Sequence, residues 1–177
     1  NIAPHLSNPS YTLVEGDIRD TDRVLRLFEE SKFDAVVHLA ARAGVRPSIL
    51  EPLLYEQVNC VGTLNLLEAS RKTGVKNFVF ASSSSVYGIN SKVPFSEGDP
   101  INFPISPYAT TKRAGELMCY TYSHLYKLPA TCLRFFTVYG ARQRPDLAIH
   151  KFTRLIDGGK SIQMFGDGSM MRDHTYI

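Results

Sequence analysis

Apolar positions along the chain alternate between two patterns. Short runs of almost wholly apolar or β-branched residues, at 35–41, 75–81 and 129–136, are separated by longer stretches in which apolar residues recur every three to four positions. That alternation predicts βαβ units and a parallel sheet. "YTLVEGD" (11–17) predicts a strand, and "DTDRVLRLFEESK" an amphipathic helix with Val24, Leu25, Leu27 and Phe28 on one stripe. "DAVVHLAA" follows as a continuous apolar run, the pattern of a strand covered on both faces. A long helix runs through "YEQVNCVGTLNLLEASRKTG", with Gly74 as its C-terminal stop. "VKNFVFASS" predicts a strand, "SPYATTKRAGELMCYTYSHLYK" a helix, "PATCLRFF" another strand, and "RDHTYI" the start of one more. The units repeat in architecture without repeating in sequence. The stretch 88–107 is too long for a bare connection and is expected to cross a functional edge.

Composition narrows the class. With 177 residues and 44% hydrophobic content the chain can bury an ordinary core. A formal charge of +3, from dispersed basic residues, argues against a nucleic-acid or membrane surface. No apolar run approaches the roughly 18 residues of a membrane-spanning helix, and no charged-then-apolar leader opens the sequence. Cys60, Cys119 and Cys132 form an odd set without CxxC spacing. Reduced thiols in a cytoplasmic protein are the plain expectation, with no metal site.

The candidate chemistry lies between Ala81 and Lys112. Tyr108 and Lys112 are four residues apart at a helix start marked by Pro107, so a phenol and an ammonium share one face. A phenol is a poor base at neutral pH unless a nearby cation stabilises the phenolate. In "SSSS" (82–85) an extended backbone would point Ser83 and Ser85 to one side and Ser82 and Ser84 to the other. These hydroxyls follow a buried strand, at the end where open α/β sheets place ligands. Serine clusters are usually turns or caps, and Tyr-x-x-x-Lys also arises by chance. Their combination, in this order, points to catalysis.

The sequence contains no GxGxxG or GxxGxxG turn, and "NIAPHLSNPS" is similar to the connection before a third strand. The expectation is therefore an internal segment of a longer protein. Through "GDIRD", "VVHLAARAGVRPS", "NCVGTLNLLEASRKTGVKNFVFASSSSVYG", "SPYATTK", "LRFFTVYG" and "FGDGSMMRD" the chain resembles the extended short-chain dehydrogenase/reductase family, specifically its nucleotide-sugar epimerases. The resemblance implies an α/β Rossmann-type doubly wound parallel sheet, incomplete for want of the first βαβ unit and of the C-terminal substrate part. Residues 1–146 would be the NAD-binding domain and 147–177 the start of the smaller substrate-binding part.

The same resemblance implies NAD as cofactor, a UDP-sugar as substrate, and Ser83, Tyr108 and Lys112 as the catalytic set. It assigns Asp17 and Ile18 to the adenine side, and Leu39, Ala40 and Ala41 to the turn beside the cofactor phosphates. Asn59, Ser82, Tyr108, Lys112 and Phe135 complete the cofactor contacts. Arg46, Ser83, Ser85, Thr137, Arg144 and Arg172 are the implied substrate contacts, with Arg172 on the nucleotide phosphates. The related dehydratases carry an acidic residue after the serine or threonine of this strand end, whereas "SSSSVYG" has none, which favours simple epimerisation. "AARAGVRPS", "LRFFTVYG" and "RQRPDLAIHKF" are most similar to UDP-glucuronate 4-epimerases, in which Thr137 and Arg144 would meet the sugar carboxylate. A UDP-glucose 4-epimerase, a reductase or dehydrogenase on the same scaffold, and a non-catalytic member stay open. So does a homodimer. His38, in an apolar strand, is read as a hydrogen-bonded structural histidine. The arginines taken singly read as ordinary surface charges, and Met170 and Met171 as packing residues.

Overall fold

Asp20 takes an extended backbone and its carboxylate accepts the Arg23 amide at 3.0 Å, which opens the first helix, α1, at Thr21–Ser31. Val24 and Phe28 are its buried stripe, with Leu25 packed beside them. The computed structural model describes residues 2–164, 166–169, 171 and 173–177. They form two units, Val14–Arg134, and Phe135–Ile177 together with the chain up to Leu13.

In the first unit β1 (Ala35–His38), β2 (Asn77–Ala81) and β3 (Ala130–Leu133) form a parallel sheet in that order. Val36 lies opposite Phe78, and Phe78 opposite Ala130; His38, Phe80 and Cys132 make the next row. Between β1 and β2 run α2 (Val45–Leu50), α3 (Pro52–Tyr55) and α4 (Gly62–Thr73), and between β2 and β3 runs α5 (Pro107–Tyr126). Val24 and Phe28 of α1, Leu66 and Leu67 of α4, and Cys119 and Tyr122 of α5 close over Phe78 and Phe80 as one core. Gly74 ends α4 in the left-handed region at φ 76°, as the sequence predicts.

Three sequence expectations are corrected here. Residues 11–17 form no strand, because an extended segment becomes one only by pairing, and no described residue offers them a ladder. The run through β1 is covered on one face only. The core helices pack on the Val36 and His38 side, while Val37 on the other is 63% exposed and Leu133 of β3 39%. The helix through 55–74 is not uniform, since a π-type stretch at Glu56–Val61 joins α3 to α4 and the Gly62 amide reaches back five residues to the Gln57 carbonyl.

In the second unit β4 (Thr137–Tyr139) pairs in parallel with β5 (His174–Tyr176), Thr137 opposite His174. This is the strand that "RDHTYI" predicts. The helix α6, Ala148–Asp157, precedes it.

Candidate active site

The C-terminal ends of β1, β2 and β3 carry the residues that matter, and α5 reads across them. Ser106 caps α5 by accepting the Ala109 amide at 3.1 Å, and Pro107 occupies the first helical position. This fixes Tyr108 in the first turn. Its ring stands edge-on to that of Tyr55 of α3, centroids 6.3 Å apart. One turn on, Lys112 is 4% exposed, and its Nζ donates to the Ala81 carbonyl at 2.7 Å and lies 5.0 Å from the centre of the Phe80 ring. Gly115 permits this approach: a Cβ there would fall 2.3 Å from Phe80 Cζ. Burial lowers the Lys112 pKa from 10.5 to about 8, so the ammonium persists at neutral pH.

The structure thus brings Lys112 to the backbone two residues before Ser83. Ser83 is 8% exposed and caps a 3₁₀ turn at Ser84–Tyr87. Its Oγ accepts the Ser85 amide and meets Ser85 Oγ, both at 3.2 Å. Ser83 and Ser85 do share a side, but through this turn rather than through strand alternation. Ser82 points elsewhere and donates to Glu116 Oε1 at 2.6 Å. Gly88 closes the turn at φ 58°, and a Cβ there would meet the Phe103 carbonyl oxygen at 2.1 Å. Only glycine lets the 88–107 loop lie so close to the serine turn.

Asn59 joins the loop after β1 to α5. Its Oδ1 accepts the Arg42 amide at 2.8 Å, and its Nδ2 donates to the Arg42 carbonyl and to Thr111 Oγ1, both at 3.0 Å. Leu39 and Ala40, exposed, and Ala41, half-buried, lie in the loop so held. His38 is neutral. Burial, aided by the Lys112 charge, lowers its pKa from 6.5 to about 4. Its Nε2 lies 2.9 Å from Thr63 Oγ1, which itself donates to the Asn59 carbonyl, so Nε2 carries the proton. Nδ1 is buried without a hydrogen-bond partner among the described residues.

Asp17 is exposed, and its carboxylate accepts the Arg19 amide at 2.9 Å and the Arg19 guanidinium at 2.6–3.0 Å. These bonds hold its pKa near 2. Ile18 packs where Gly62 has no side chain, and its carbonyl accepts Asn65 Nδ2 at 2.9 Å. Arg46 is exposed on α2. In the other unit Phe135 is 41% exposed, Thr137 opens β4 half-buried, and Arg144 holds the Asp146 carboxylate at both oxygens, 2.9 and 2.7 Å. Arg172 and Met170 lie outside the described residues.

Sequence reasoning missed Glu116, Arg134, Thr63 and Thr111. Glu116 left one signal, its place four residues beyond Lys112 on the inward stripe of α5. Among the described residues no acidic, cysteine or histidine cluster could hold a metal ion, and no helix is long and apolar enough to cross a membrane.

A parallel α/β sheet with helices between its strands, a buried serine after one strand end and a tyrosine and lysine on the next helix is a Rossmann-like arrangement. The chain belongs to the NAD dependent epimerase/dehydratase family, whose model matches residues 2–177. It is 48% identical over 161 residues to a UDP-glucuronate 4-epimerase of Thermodesulfobacterium geofontis, covering 91% of this chain and 50% of that one. Among solved structures it resembles UDP-glucuronic acid 4-epimerase of Bacillus cereus, in complex with UDP-glucuronic acid and NAD, with TM-score 0.90 and 39% identity over 99% of this chain and 55% of that one. It also resembles a dTDP-glucose 4,6-dehydratase of Streptomyces venezuelae, with TM-score 0.91 and 31% identity over 99% and 53% of the two chains. The chain spans about half the length of the curated relatives it matches.

Proposed function

We propose that this chain carries the proton-transfer machinery of an NAD-dependent UDP-sugar 4-epimerase acting on UDP-glucuronate. The observation that carries the reading is the Lys112 ammonium, one turn along α5 from Tyr108 and buried on the carbonyl of Ala81, two residues before Ser83. In this reading Tyr108, as phenolate, takes the proton of the sugar 4-hydroxyl. Ser83 hydrogen-bonds the same oxygen, and Lys112 stabilises the phenolate. The 4-keto sugar then turns to present its other face, and Tyr108 returns the proton to the 4-oxygen. NAD, when bound, supplies the reversible redox step at C4.

The residues present suit the cofactor. A buried lysine at a strand end, hydroxyls beside it and Asp17 before α1 supply polar partners, and Ile18, Leu39, Ala40, Ala41 and Asn59 are further proposed contacts of the same unit; Phe135, in the other unit, is proposed as a cofactor contact on the resemblance alone. Residues 1–146 would form the NAD-binding part, and 147–177 the start of the substrate-binding part. Arg46, Ser85, Thr137, Arg144 and Arg172 are the proposed substrate contacts.

For the acid sugar the support is the relatives named as UDP-glucuronate 4-epimerases and the Arg144 fork, which already grips a carboxylate in bidentate fashion. The same pair favours a second reading, UDP-glucose 4-epimerase, since the fork already has a partner in Asp146. Two measurements on the full-length protein test the proposal. Tyr108→Phe should nearly abolish turnover with little loss of substrate affinity, and a variant within about tenfold of the parent contradicts the role. Arg144→Ala should lower kcat/KM for UDP-glucuronate roughly 30-fold or more and leave UDP-glucose almost untouched. If both fall together, Arg144 supports the nucleotide or the scaffold. A parent that prefers UDP-glucose makes the second reading correct.

A homodimer belongs to the same proposal. Val61 at the end of the π-type stretch, Leu64 of α4, and Leu117 and Tyr120 of α5 are exposed apolar residues, and α4 and α5 pack together. Light scattering of the full-length protein decides it. A cytoplasmic setting is also proposed, which the free thiols Cys60, Cys119 and Cys132 suit.

A further inference from the structure

Glu116 is 6% exposed, and four donors converge on its carboxylate. Ser82 Oγ and Arg134 Nε reach Oε1 at 2.6 and 2.9 Å, and Arg134 Nη2 and Arg113 Nη1 reach Oε2 at 3.1 and 3.2 Å. Arg134 continues to the Tyr87 hydroxyl at 3.3 Å and the Glu97 carbonyl at 3.1 Å, its guanidinium 5.1 Å from the centre of the Tyr87 ring. The arginines outweigh burial and hold the carboxyl below the usual carboxylate range, so it is charged.

A buried ion cluster of this kind seldom stabilises a fold better than apolar packing would, and its attested use is to fix one arrangement. What it fixes here is the strand end before Ser83. Lys112 grips the Ala81 carbonyl, and one helical turn further Glu116 grips the Ser82 hydroxyl. Two successive residues of the strand end are thus held by two successive turns of the helix that carries Tyr108. On the far side, the turn that Ser83 caps is held through Tyr87 by the same Arg134. Ser83 is the residue between these anchors.

We propose that Glu116 is a positioning residue for the reaction, acting through the Ser82 hydroxyl to set the place of Ser83 opposite Tyr108. The inference rests on the reading of Ser83 as hydrogen-bond partner of the reacting oxygen. Because Glu116→Gln would leave the half-buried Arg134 without its counter-ion and can fail to fold, the primary variant is Ser82→Ala, which keeps every ion pair. In the full-length protein loaded with NAD, Ser82→Ala is expected to lower kcat about tenfold with KM for the UDP-sugar changed less than about twofold. In a Ser83→Ala background the same change is expected to cost less than about twofold, because the group it positions is gone. Where Glu116→Gln folds, it should show the same dependence on Ser83. An equal loss in both backgrounds would mean a structural role and overturn the proposal, as would an unchanged kcat in Ser82→Ala. Failure of the underlying reading looks different: Ser83→Ala alone would then leave kcat intact, and the positioning role would fall with it.

Discussion

At the scale of single residues, two titrations follow from burial beside the strand ends. Lys112 carries its proton only below about pH 8. On the proposed role of Lys112, the kcat/KM profile of the full-length protein is therefore expected to fall as pH rises through about 8, where the charge proposed to stabilise the Tyr108 phenolate is lost. A profile flat to about pH 10 contradicts this role. His38 titrates at about 4 in the folded state against 6.5 unexposed to the protein. Between these values the unfolded chain binds a proton that the folded chain refuses, so stability present above pH 6.5 is lost as pH falls towards 4. The effect is worth roughly 3 kcal/mol and should vanish in His38→Gln, whose amide nitrogen can still reach Thr63. Denaturant midpoints at several pH values check it, and an identical acid slope in the variant refutes it. Tyr108 and Lys112 were legible in the sequence because i and i+4 on a helix is a local relation. The Ser82–Glu116 and Asn59–Thr111 bonds were not, since their partners lie 34 and 52 residues apart and only the packing of α5 on β2 brings them together.

At the scale of elements, α5 is the part whose register decides the site, and Gly115 sets how closely it approaches β2. Gly115→Ala places a methyl group against the Phe80 ring, which is 1% exposed and cannot yield within the core. The expected outcome is a loss of about 1–3 kcal/mol by overpacking, with a fall in kcat as Lys112 is lifted from the Ala81 carbonyl. Urea unfolding together with turnover tests this, and a variant of parental stability would show that the contact relaxes freely. The helices were legible because capping and the apolar stripe are written locally, from Asp20 and Val24 in α1 to Ser106 and Pro107 in α5. The π-type stretch at Glu56–Val61 was not, because its one-residue offset leaves the apolar pattern intact. Residues 11–17 have the composition of a strand and find no neighbour to pair with among the described residues, which composition cannot report.

At the scale of the molecule, the sequence and the structure differ on one face of the sheet, and the difference has a measurable consequence. The apolar run "DAVVHLAA" suits a strand covered twice, yet Val37, at 63% exposure, faces away from every helix of the core. Leu133 of β3, on the same side, is 39% exposed. Apolar groups on an open sheet face forgo their burial energy and invite association. The sequence also contains no glycine-rich turn to set a helix N-terminus against a pyrophosphate. The 177-residue chain by itself is therefore expected to bind NAD only weakly, to unfold at low denaturant and to bind a dye specific for apolar surface. Calorimetric titration separates the causes. Micromolar NAD affinity in the isolated chain would mean that Asp17, Asn59 and Lys112 hold the cofactor without a pyrophosphate cradle. Weak binding with strong dye uptake would trace the deficit to the open face and the absent turn together. Substituting Val37→Thr discriminates further, because it should reduce dye uptake and association while leaving the weak NAD affinity as it was. A rise in NAD affinity in that variant would show that association, rather than the absent turn, had blocked the site.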